Sequence, residues 1–289
     1  MSKRKKSLYG LIGYPVGHSL SPLMHNTAFK ELGLDAVYKL FPLKEEELDG
    51  FFKGLREKNS PFFGFNVTIP YKEKVIQYLD SLSPYAQKTM AVNTVVVNSD
   101  RTLRGFNTDG PGFLTHIAEL GINPHNQQIA LLGAGGAARA IISVLCLLPE
   151  PPAVIRIYDI EKEKTENLLS DLQKRIDMSI VKAVQSLDDL KVQQADMLIN
   201  ATPVGLKETD ACLVDVNLFH RGMFVYDLIY NPAETKLLKL AKKKGAKTSN
   251  GLGLLFYQGV LSFQHWAEVE LDQKTKDKMQ KSLLKGLKA

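Results

Sequence analysis

A glycine-rich segment in the middle of the sequence has the residue types and spacing of a dinucleotide site. An apolar run at 129–132 is followed directly by Gly133, Ala134, Gly135, Gly136 and Ala137. A second apolar run further on ends at Asp159. Glycines at such a turn let backbone N–H groups approach a pyrophosphate at the positive end of a helix. The order strand, turn, helix, strand and acid predicts a dinucleotide-binding βαβ unit; a turn that only packs helix on strand is the alternative.

Asp159 bears on which dinucleotide such a unit would bind. A carboxylate at the end of the second strand accepts hydrogen bonds from free ribose hydroxyls and repels a 2′-phosphate. No arginine follows, since Ile160 and Glu161 come next. The sequence therefore favours NAD as the cofactor, with NADP as the alternative, and a solvated aspartate at a strand end remains the structural interpretation.

Two serines near the N-terminus could bind a polar ligand. Ser19 and Ser21 are two residues apart, so in an extended segment both hydroxyls point to one side and suit a polyol or a carboxylate. Ser21 precedes Pro22, however, and this pair is typical of a helix start with the serine as N-cap. Ser21 is therefore predicted either to contact a ligand or only to cap a helix.

A third polar segment follows a predicted strand at 63–69. Strand alternation puts Asn66 and Thr68 on one face. The strand ends in a turn that presents Lys72 at the start of a predicted helix over 73–79. A lysine is electrostatically unfavourable at a helix N-terminus, which suggests a functional role for Lys72. An exposed lysine without a function is the alternative, and Asp109, before a predicted helix at 113–120, could likewise be only an N-cap.

The elements that would position these side chains alternate between strand and helix. Short apolar runs predict strands at 8–12, 37–43 and 91–97, and an amphipathic pattern predicts a helix over 45–58. The fold class is therefore α/β, with an N-terminal substrate-binding domain over 1–109 and a Rossmann-type dinucleotide-binding domain over 110–252. C-terminal helices within 253–289 are expected to return to the first domain and complete it.

The composition limits the classes of protein to which this chain can belong. A chain of 289 residues, 44% hydrophobic and 24% charged, is long enough for two globular domains and contains no apolar run that would span a bilayer. The net charge of +6 could indicate a nucleic-acid partner, but the lysines cluster at the ends without interleaved aromatic residues, so we expect solvated surface. The basic start lacks a signal-peptide core.

Cysteine and histidine usage argues against disulfides and metals. Cys146 and Cys212 form no disulfide framework, and the six histidines show no metal-ligand spacing. A reducing cytoplasm is the expected compartment, with no membrane or nucleic-acid partner and no metal. The sequence leaves a monomer and a homodimer equally open.

Eight short motifs, in order along the chain, together resemble the shikimate dehydrogenase family, which includes quinate/shikimate dehydrogenases. Each motif alone could arise by chance, whereas the ordered set is highly specific. The motifs lie at 18–22, 66–70 with Lys72, 91–94, 107–110, 133–137, 200–202, 227–232 and 250–253 with Gln258-Gly259.

The resemblance implies hydride transfer between shikimate and a nicotinamide cofactor, with 3-dehydroshikimate as the oxidised product, in the chorismate route to aromatic amino acids. It implies that Ser19 and Ser21 bind the substrate carboxylate and that Lys72 and Asp109 are the catalytic pair. Thr202 and Gly253 would lie on the cofactor side. The remaining implied substrate contacts are Asn66, Thr68, Asn93 and Gln258 around the ring hydroxyls, and Tyr230 near the carboxylate.

Two departures from the family pattern matter. NADP-using relatives carry an Asn-Arg-Thr-like phosphate clamp where this chain has Asp159-Ile160-Glu161, so the resemblance also points to an NAD-preferring member, for which quinate is a second candidate substrate. The segment 271–289 extends beyond the usual end. Met279, Leu283 and Leu287, spaced by four, predict an amphipathic helix that packs on the body.

Three alternatives remain open. The first is a strictly NADP-dependent biosynthetic shikimate dehydrogenase. The second is another two-domain Rossmann enzyme such as a methylenetetrahydrofolate dehydrogenase, against which the serine and Asn66–Lys72 motifs argue. The third is a non-catalytic sensor of shikimate or quinate, for which loss of the lysine or the aspartate would be diagnostic; both Lys72 and Asp109 are present.

Overall fold

A computed structural model describes residues 6–287, so the predictions for the extreme basic ends, Lys3 to Lys5 and Lys288, lie outside the described residues. The chain divides into two compact units. The first unit combines Met1–Gly112 with Leu255–Ala289, and the second is the continuous segment Phe113–Leu254. The first unit is thus built from both ends of the chain.

The elements of the N-terminal part are, in order, β1 (Ser7–Gly13), α1 (Ser21–Glu31), β2 (Ala36–Pro42), α2 (Leu48–Leu55), β3 (Phe62–Val67), β4 (Ser81–Leu82), α3 (Pro84–Thr89), β5 (Thr94–Val97), β6 (Leu103–Phe106) and α4 (Asp109–Glu119). The central and C-terminal elements are β7 (Gln128–Leu132), α5 (Gly136–Cys146), β8 (Val154–Tyr158), α6 (Lys162–Leu172), β9 (Val181–Ala183), β10 (Met197–Asn200), β11 (Phe224–Asp227), α7 (Lys236–Lys243), β12 (Lys247–Ser249), α8 (Leu252–Ala267) and α9 (Gln273–Gly286).

The sheet of the first unit is mixed. Its strand order is β2-β1-β3-β5-β6-β4, with β1 parallel to both neighbours and β5 antiparallel to β3 and β6. The antiparallel pairing places Asn66, near the carboxyl end of β3, directly opposite Thr94 at the start of β5. Simple alternation of strands and helices did not predict this reversal, which brings the 91–94 motif against the 66–70 motif.

The sheet of the second unit is parallel throughout, in the order β12-β11-β10-β7-β8-β9. Counted along the chain from β7, this is the order 3-2-1-4-5-6 of a dinucleotide-binding Rossmann fold. The switch point lies between β7 and β10, and the glycine-rich segment follows β7 immediately. The predicted α/β class with a Rossmann-type domain is confirmed.

Helix α9 packs on α1, as the spacing of its apolar residues predicts. Met279 and Leu283 are fully buried, and Ser282 Oγ donates a hydrogen bond to the carbonyl oxygen of Leu23 at 2.8 Å. Lys278 forms an ion pair with Glu31. The helix ends at Gly286, so Leu287 is a half-buried C-cap residue rather than part of the helix. The extension therefore closes over the N-terminal helix of its own unit.

Within residues 6–287, no helix combines the length and the apolar character that crossing a bilayer requires.

Candidate functional site

The two serines lie side by side at the start of α1. The predicted N-cap role of Ser21 is wrong, because the N-cap is Leu20 and no side chain caps the helix. The Ser19 hydroxyl donates to Ser21 Oγ at 3.1 Å, and the Ser21 backbone N–H donates to Ser19 Oγ at 3.3 Å. The two hydroxyls are thus held together, and neither belongs to the N-cap residue of α1.

Lys72 and Asp109 form the least exposed ion pair among the described residues of the first unit. Lys72 Nζ lies 2.6 Å from Asp109 Oδ2, and the two side chains are only 15% and 11% exposed. Lys72 precedes a 3-10 helix at Lys74–Tyr78, which lies within the predicted helix over 73–79, and Asp109 is the first residue of α4. The Val92 N–H donates to the Lys72 carbonyl at 2.7 Å, which fixes the backbone that carries the ammonium group. The contact holds the Lys72 amine and the Asp109 carboxylate together in a largely buried position.

Asn93 holds the other oxygen of the Asp109 carboxylate. Asn93 Nδ2 donates to Asp109 Oδ1 at 2.8 Å, and the Thr108 backbone N–H donates to Asn93 Oδ1 at 2.8 Å. Because a backbone N–H can only donate, it turns the amide oxygen towards itself and the amide NH₂ towards Asp109. Gln258, from α8, completes this corner, with its Oε1 at 3.3 Å from Asn93 Nδ2.

Asn66 is buried beside this corner. Its Oδ1 accepts a hydrogen bond from the Tyr38 hydroxyl at 2.8 Å, and its Nδ2 donates to the Asn93 carbonyl at 3.0 Å and to Ser262 Oγ at 3.0 Å. Full burial raises the pKa of Tyr38 well above its ordinary value, so this hydroxyl stays a donor. Thr68 lies just beyond β3, half-buried, with its N–H donating to the Ile12 carbonyl at 2.9 Å.

The structure therefore brings eight predicted residues into the first unit, and all of them except Thr68 share direct contacts in pairs or chains. Tyr230 belongs to the second unit, where it is half-buried and burial raises the pKa of its hydroxyl. Sequence reasoning missed Tyr38 and Ser262, which complete the polar network. The only available signal was a polar side chain on the buried face of an otherwise apolar strand or helix. The eight predicted residues that lie in the first unit are Ser19, Ser21, Asn66, Thr68, Lys72, Asn93, Asp109 and Gln258.

The glycine-rich turn of the second unit has the geometry of an anion site. Gly133 has φ +98°, and a Cβ there would lie 2.9 Å from the carbonyl group of Ala201. Gly135 is the N-cap of α5, and the space that its side chain would occupy is open. Gly136 and Ala137 form the first turn, whose backbone N–H groups point out of the helix start. A pyrophosphate fits this arrangement without any charged side chain.

Asp159 follows β8 and faces this turn. Its Oδ2 accepts a hydrogen bond from the Ala134 N–H at 2.8 Å, and its Oδ1 accepts one from the Glu161 N–H at 2.9 Å. Two backbone donors thus orient the carboxylate, and each oxygen keeps a lone pair for a further donor. The neighbouring Ile160 is 88% exposed.

The cations that follow Asp159 already have anionic partners. Lys164 pairs with Glu161, and Lys162 Nζ lies 3.4 Å from Glu166 Oε1. Because these pairs are exposed, each is weak, but together they lower the positive potential available to a 2′-phosphate.

Two further predicted cofactor contacts have clear structural surroundings. The Thr202 hydroxyl donates to Asn200 Oδ1 at 2.7 Å at the carboxyl end of β10. Asn200 Nδ2 in turn donates to the buried Asp227 at 3.0 Å. Gly253 lies inside α8, where a Cβ would come within 2.1 Å of the His116 ring, so its lack of a side chain is explained by packing.

Among the residues that the structure describes, no three His, Cys, Asp or Glu side chains come together as a possible metal site.

Comparison with known proteins assigns the family. Residues 11–95 match the family model of the shikimate dehydrogenase substrate binding domain. The chain is 41% identical over 264 residues to a shikimate dehydrogenase (NADP(+)) of Alkaliphilus metalliredigens, covering 90% of this chain and 91% of that protein.

Solved structures agree. Shikimate 5-dehydrogenase of Listeria monocytogenes, in complex with shikimate and NAD, superposes with a TM-score of 0.85 at 33% identity, covering 96% of each chain. Quinate dehydrogenase of Corynebacterium glutamicum, in complex with NAD, superposes with a TM-score of 0.87 at 28% identity, covering 97% of this chain and 99% of that one. With its fold, its paired lysine and aspartate and its glycine turn, the chain belongs to the shikimate dehydrogenase family of oxidoreductases.

Proposed function

We propose that this enzyme interconverts shikimate and 3-dehydroshikimate, with NAD as the preferred cofactor. The observation that carries the proposal is the Lys72–Asp109 pair at 2.6 Å inside a buried amide network, because an alcohol oxidation needs a proton acceptor at the hydroxyl. The first unit would bind the substrate and the second the nicotinamide cofactor.

The substrate side of the proposal rests on donors and acceptors that match a hydroxylated carboxylic acid. The adjacent hydroxyls of Ser19 and Ser21 can donate to a carboxylate. Amide and hydroxyl groups near the ion pair can bind ring hydroxyls, since they both donate and accept. In this proposal those groups belong to Asn66, Thr68, Asn93 and Gln258.

Lys72 would move the proton in both directions. A bound nicotinamide ring supplies the hydride acceptor for oxidation and the hydride donor for reduction. In oxidation the neutral Lys72 amine takes the substrate's hydroxyl proton while the carbon's hydrogen leaves with its electron pair, and a C=O bond forms. In reduction the ammonium group returns that proton to the oxygen. Asp109 accepts a hydrogen bond from Lys72 throughout and keeps Nζ in place.

The charge next to the glycine-rich turn supports the preference for NAD. The oriented Asp159 carboxylate can accept hydrogen bonds from both ribose hydroxyls, and it would repel a 2′-phosphate. Lys162 and Lys164 are paired with glutamates, so they offer little compensation. The Alkaliphilus relative is named a shikimate dehydrogenase (NADP(+)), whereas the Listeria and Corynebacterium structures contain NAD. The relatives thus include both cofactors, and the proposed preference rests on the residues of this chain.

Quinate is a second candidate substrate. The fold superposes on a quinate dehydrogenase with a TM-score of 0.87. Quinate presents a carboxylate and ring hydroxyls to the same kinds of donor, so the first unit could bind either acid.

Initial rates measured by absorbance, with shikimate and quinate each crossed with NAD⁺ and NADP⁺, test the proposal. We expect the highest kcat/KM with shikimate and NAD⁺. Asp159→Asn should raise the NADP⁺-to-NAD⁺ ratio of kcat/KM at least tenfold, since it removes the repelling charge, and the matched control Asp188→Asn, at an exposed position of the same unit, should leave the ratio unchanged. A wild-type preference for NADP⁺ would overturn the cofactor assignment, and no turnover with any pair would favour a sensor.

A further inference from the structure

Three hydroxyl groups meet behind the lysine–aspartate pair. Ser262, from the middle of α8, is fully buried, and its Oγ lies 2.7 Å from Thr94 Oγ1 and 3.1 Å from Thr108 Oγ1. The two threonine oxygens are 3.3 Å apart. We refer to Ser262, Thr94 and Thr108 as the hydroxyl triangle.

The hydroxyl triangle contacts both buried amides of the site. Asn66 Nδ2 donates to Ser262 Oγ at 3.0 Å and to Thr94 Oγ1 at 3.1 Å. Asn93 Nδ2 donates to Thr108 Oγ1 at 2.9 Å, and Asn93 Oδ1 accepts from Thr94 at 3.0 Å. The same Asn93 amide holds Asp109, so the triangle is one residue removed from the ion pair.

Ser262 is the member that joins α8 to β3, through Asn66, and to β5, through Thr94. A serine hydroxyl carries one proton and two acceptor positions. Ser262 can donate its proton to the carbonyl of Gln258, one turn earlier and 2.8 Å away. Its oxygen is then an acceptor for Asn66 and for one threonine, so the other threonine proton is directed to Asn93 Oδ1. This hydrogen bond agrees with the orientation of the Asn93 side chain described above, in which the amide NH₂ faces the Asp109 carboxylate.

We propose that Ser262 is a positioning residue for Asp109 and Lys72 that acts through Thr108 and Asn93. The proposal rests on the proposed function, in which Lys72 moves the proton. Without the Ser262 oxygen, Asn66 Nδ2 and both threonine hydroxyls lose a shared acceptor in a dry environment and must compete for the Asn93 amide. Asn93 then holds Asp109 less firmly, and Lys72 loses its fixed partner.

Ser262→Ala is the main test, since it removes one oxygen atom and keeps the helix. We expect kcat to fall about tenfold, with a smaller change in KM, because loosened positioning acts on the chemical step. The pH profile of kcat should also change, because the pair that transfers the proton is no longer held in one geometry. Ser262→Thr, which keeps the hydroxyl, should recover most of the rate.

The matched control is Ser143→Ala, at a fully buried serine in α5 of the other unit. It should change the unfolding temperature at most, with kcat and the pH profile unchanged. A second measurement does not depend on Ser262→Thr. Thr108→Val should lower kcat by itself but add little to the effect of Ser262→Ala, since both substitutions interrupt the same hydrogen-bond path to Asn93.

The inference would be overturned if Ser262→Ala changed only the unfolding temperature, with kcat within twofold of wild type and an unchanged pH profile. Ser262 would then have a structural role only. Lys72→Ala distinguishes a failure of this inference from a failure of the proposed function. If that variant is inactive while Ser262→Ala is not impaired, only the inference fails; if it keeps wild-type turnover, the proposed function fails as well.

Discussion

The two compact units present their candidate functional groups in different ways. In the first unit the groups are side chains from separate segments between Ser19 and Ser262, joined by side-chain hydrogen bonds. In the second unit most are backbone N–H groups of one continuous turn, with a single carboxylate, Asp159, bonded to that turn. A side-chain site needs the whole unit to form, whereas a backbone site needs only one βαβ segment to fold correctly.

The largest expected effect comes from removing the amine of the side-chain site. Lys72→Ala should lower kcat by roughly 10²- to 10⁴-fold, the usual contribution of a general acid–base group, with binding of NAD retained in a fluorescence titration. Lys74→Ala is the matched control, because this exposed lysine forms an ion pair with the exposed Glu45. Turnover of Lys72→Ala within a few-fold of wild type would contradict the role of the Lys72 amine in the site of the first unit.

The second prediction concerns the dependence of the first unit on the far end of the chain. Leu283 of α9 is fully buried against this unit, so Leu283→Ala should lower the free energy of unfolding by about 2–5 kcal/mol. The neighbouring Leu284 is 45% exposed, and Leu284→Ala should cost less than about 1 kcal/mol. Urea denaturation followed by circular dichroism measures both; equal effects would mean that α9 does not pack as described.

The third prediction concerns two glycines of the turn: Gly133, which is needed for the backbone conformation, and Gly135, which leaves space for a ligand. Gly133→Ala should destabilise by about 1–3 kcal/mol, because φ is +98° and the new Cβ would meet the Ala201 carbonyl. Gly135→Ala has an ordinary φ of −82° and open space, so its unfolding midpoint should stay near wild type while the KM for the cofactor rises. Thermal unfolding without cofactor, combined with steady-state kinetics, checks the pair; identical behaviour of the two variants would refute the distinction.

The smallest expected effect is a pH dependence of stability from His25, beneath the side-chain site. His25 is fully buried and stacks on Tyr38 with ring centroids 4.5 Å apart. Burial, partly opposed by the Asn66 side chain, lowers the pKa of His25 to about 3. The unfolded chain takes up a proton near pH 6.5 and the folded one does not, so stability falls as the pH drops below about 6.5, by about 2 kcal/mol between pH 7 and pH 5.

His25→Phe removes this titration and should flatten that part of the stability profile, measured as the urea midpoint from pH 7 to pH 5. The remaining slope is expected from His116 and His265, whose pKa values are also lowered by burial. An unchanged slope in His25→Phe would show that His25 is not the group that responds.

Much of the second unit could be predicted from local sequence. The apolar run before Gly133, the glycines and the acid at 159 are contiguous or nearly so, and parallel strands joined by helices follow from that pattern. The strand β10 and the helix α8 likewise correspond to apolar stretches between polar or glycine boundaries, which leave few alternatives.

The sequence by itself determined the family, the residue types of the site and the βαβ unit, because these depend on the order and spacing of residues along the chain. Only the tertiary structure decided that β5 runs antiparallel to β3, that Ser21 does not cap α1, and that Tyr38 and Ser262 complete the network around Asn66. These features depend on contacts between residues up to 196 positions apart, such as Asn66 with Ser262. Local propensity contains no information on such pairs, because their energy arises only when burial removes water from both partners.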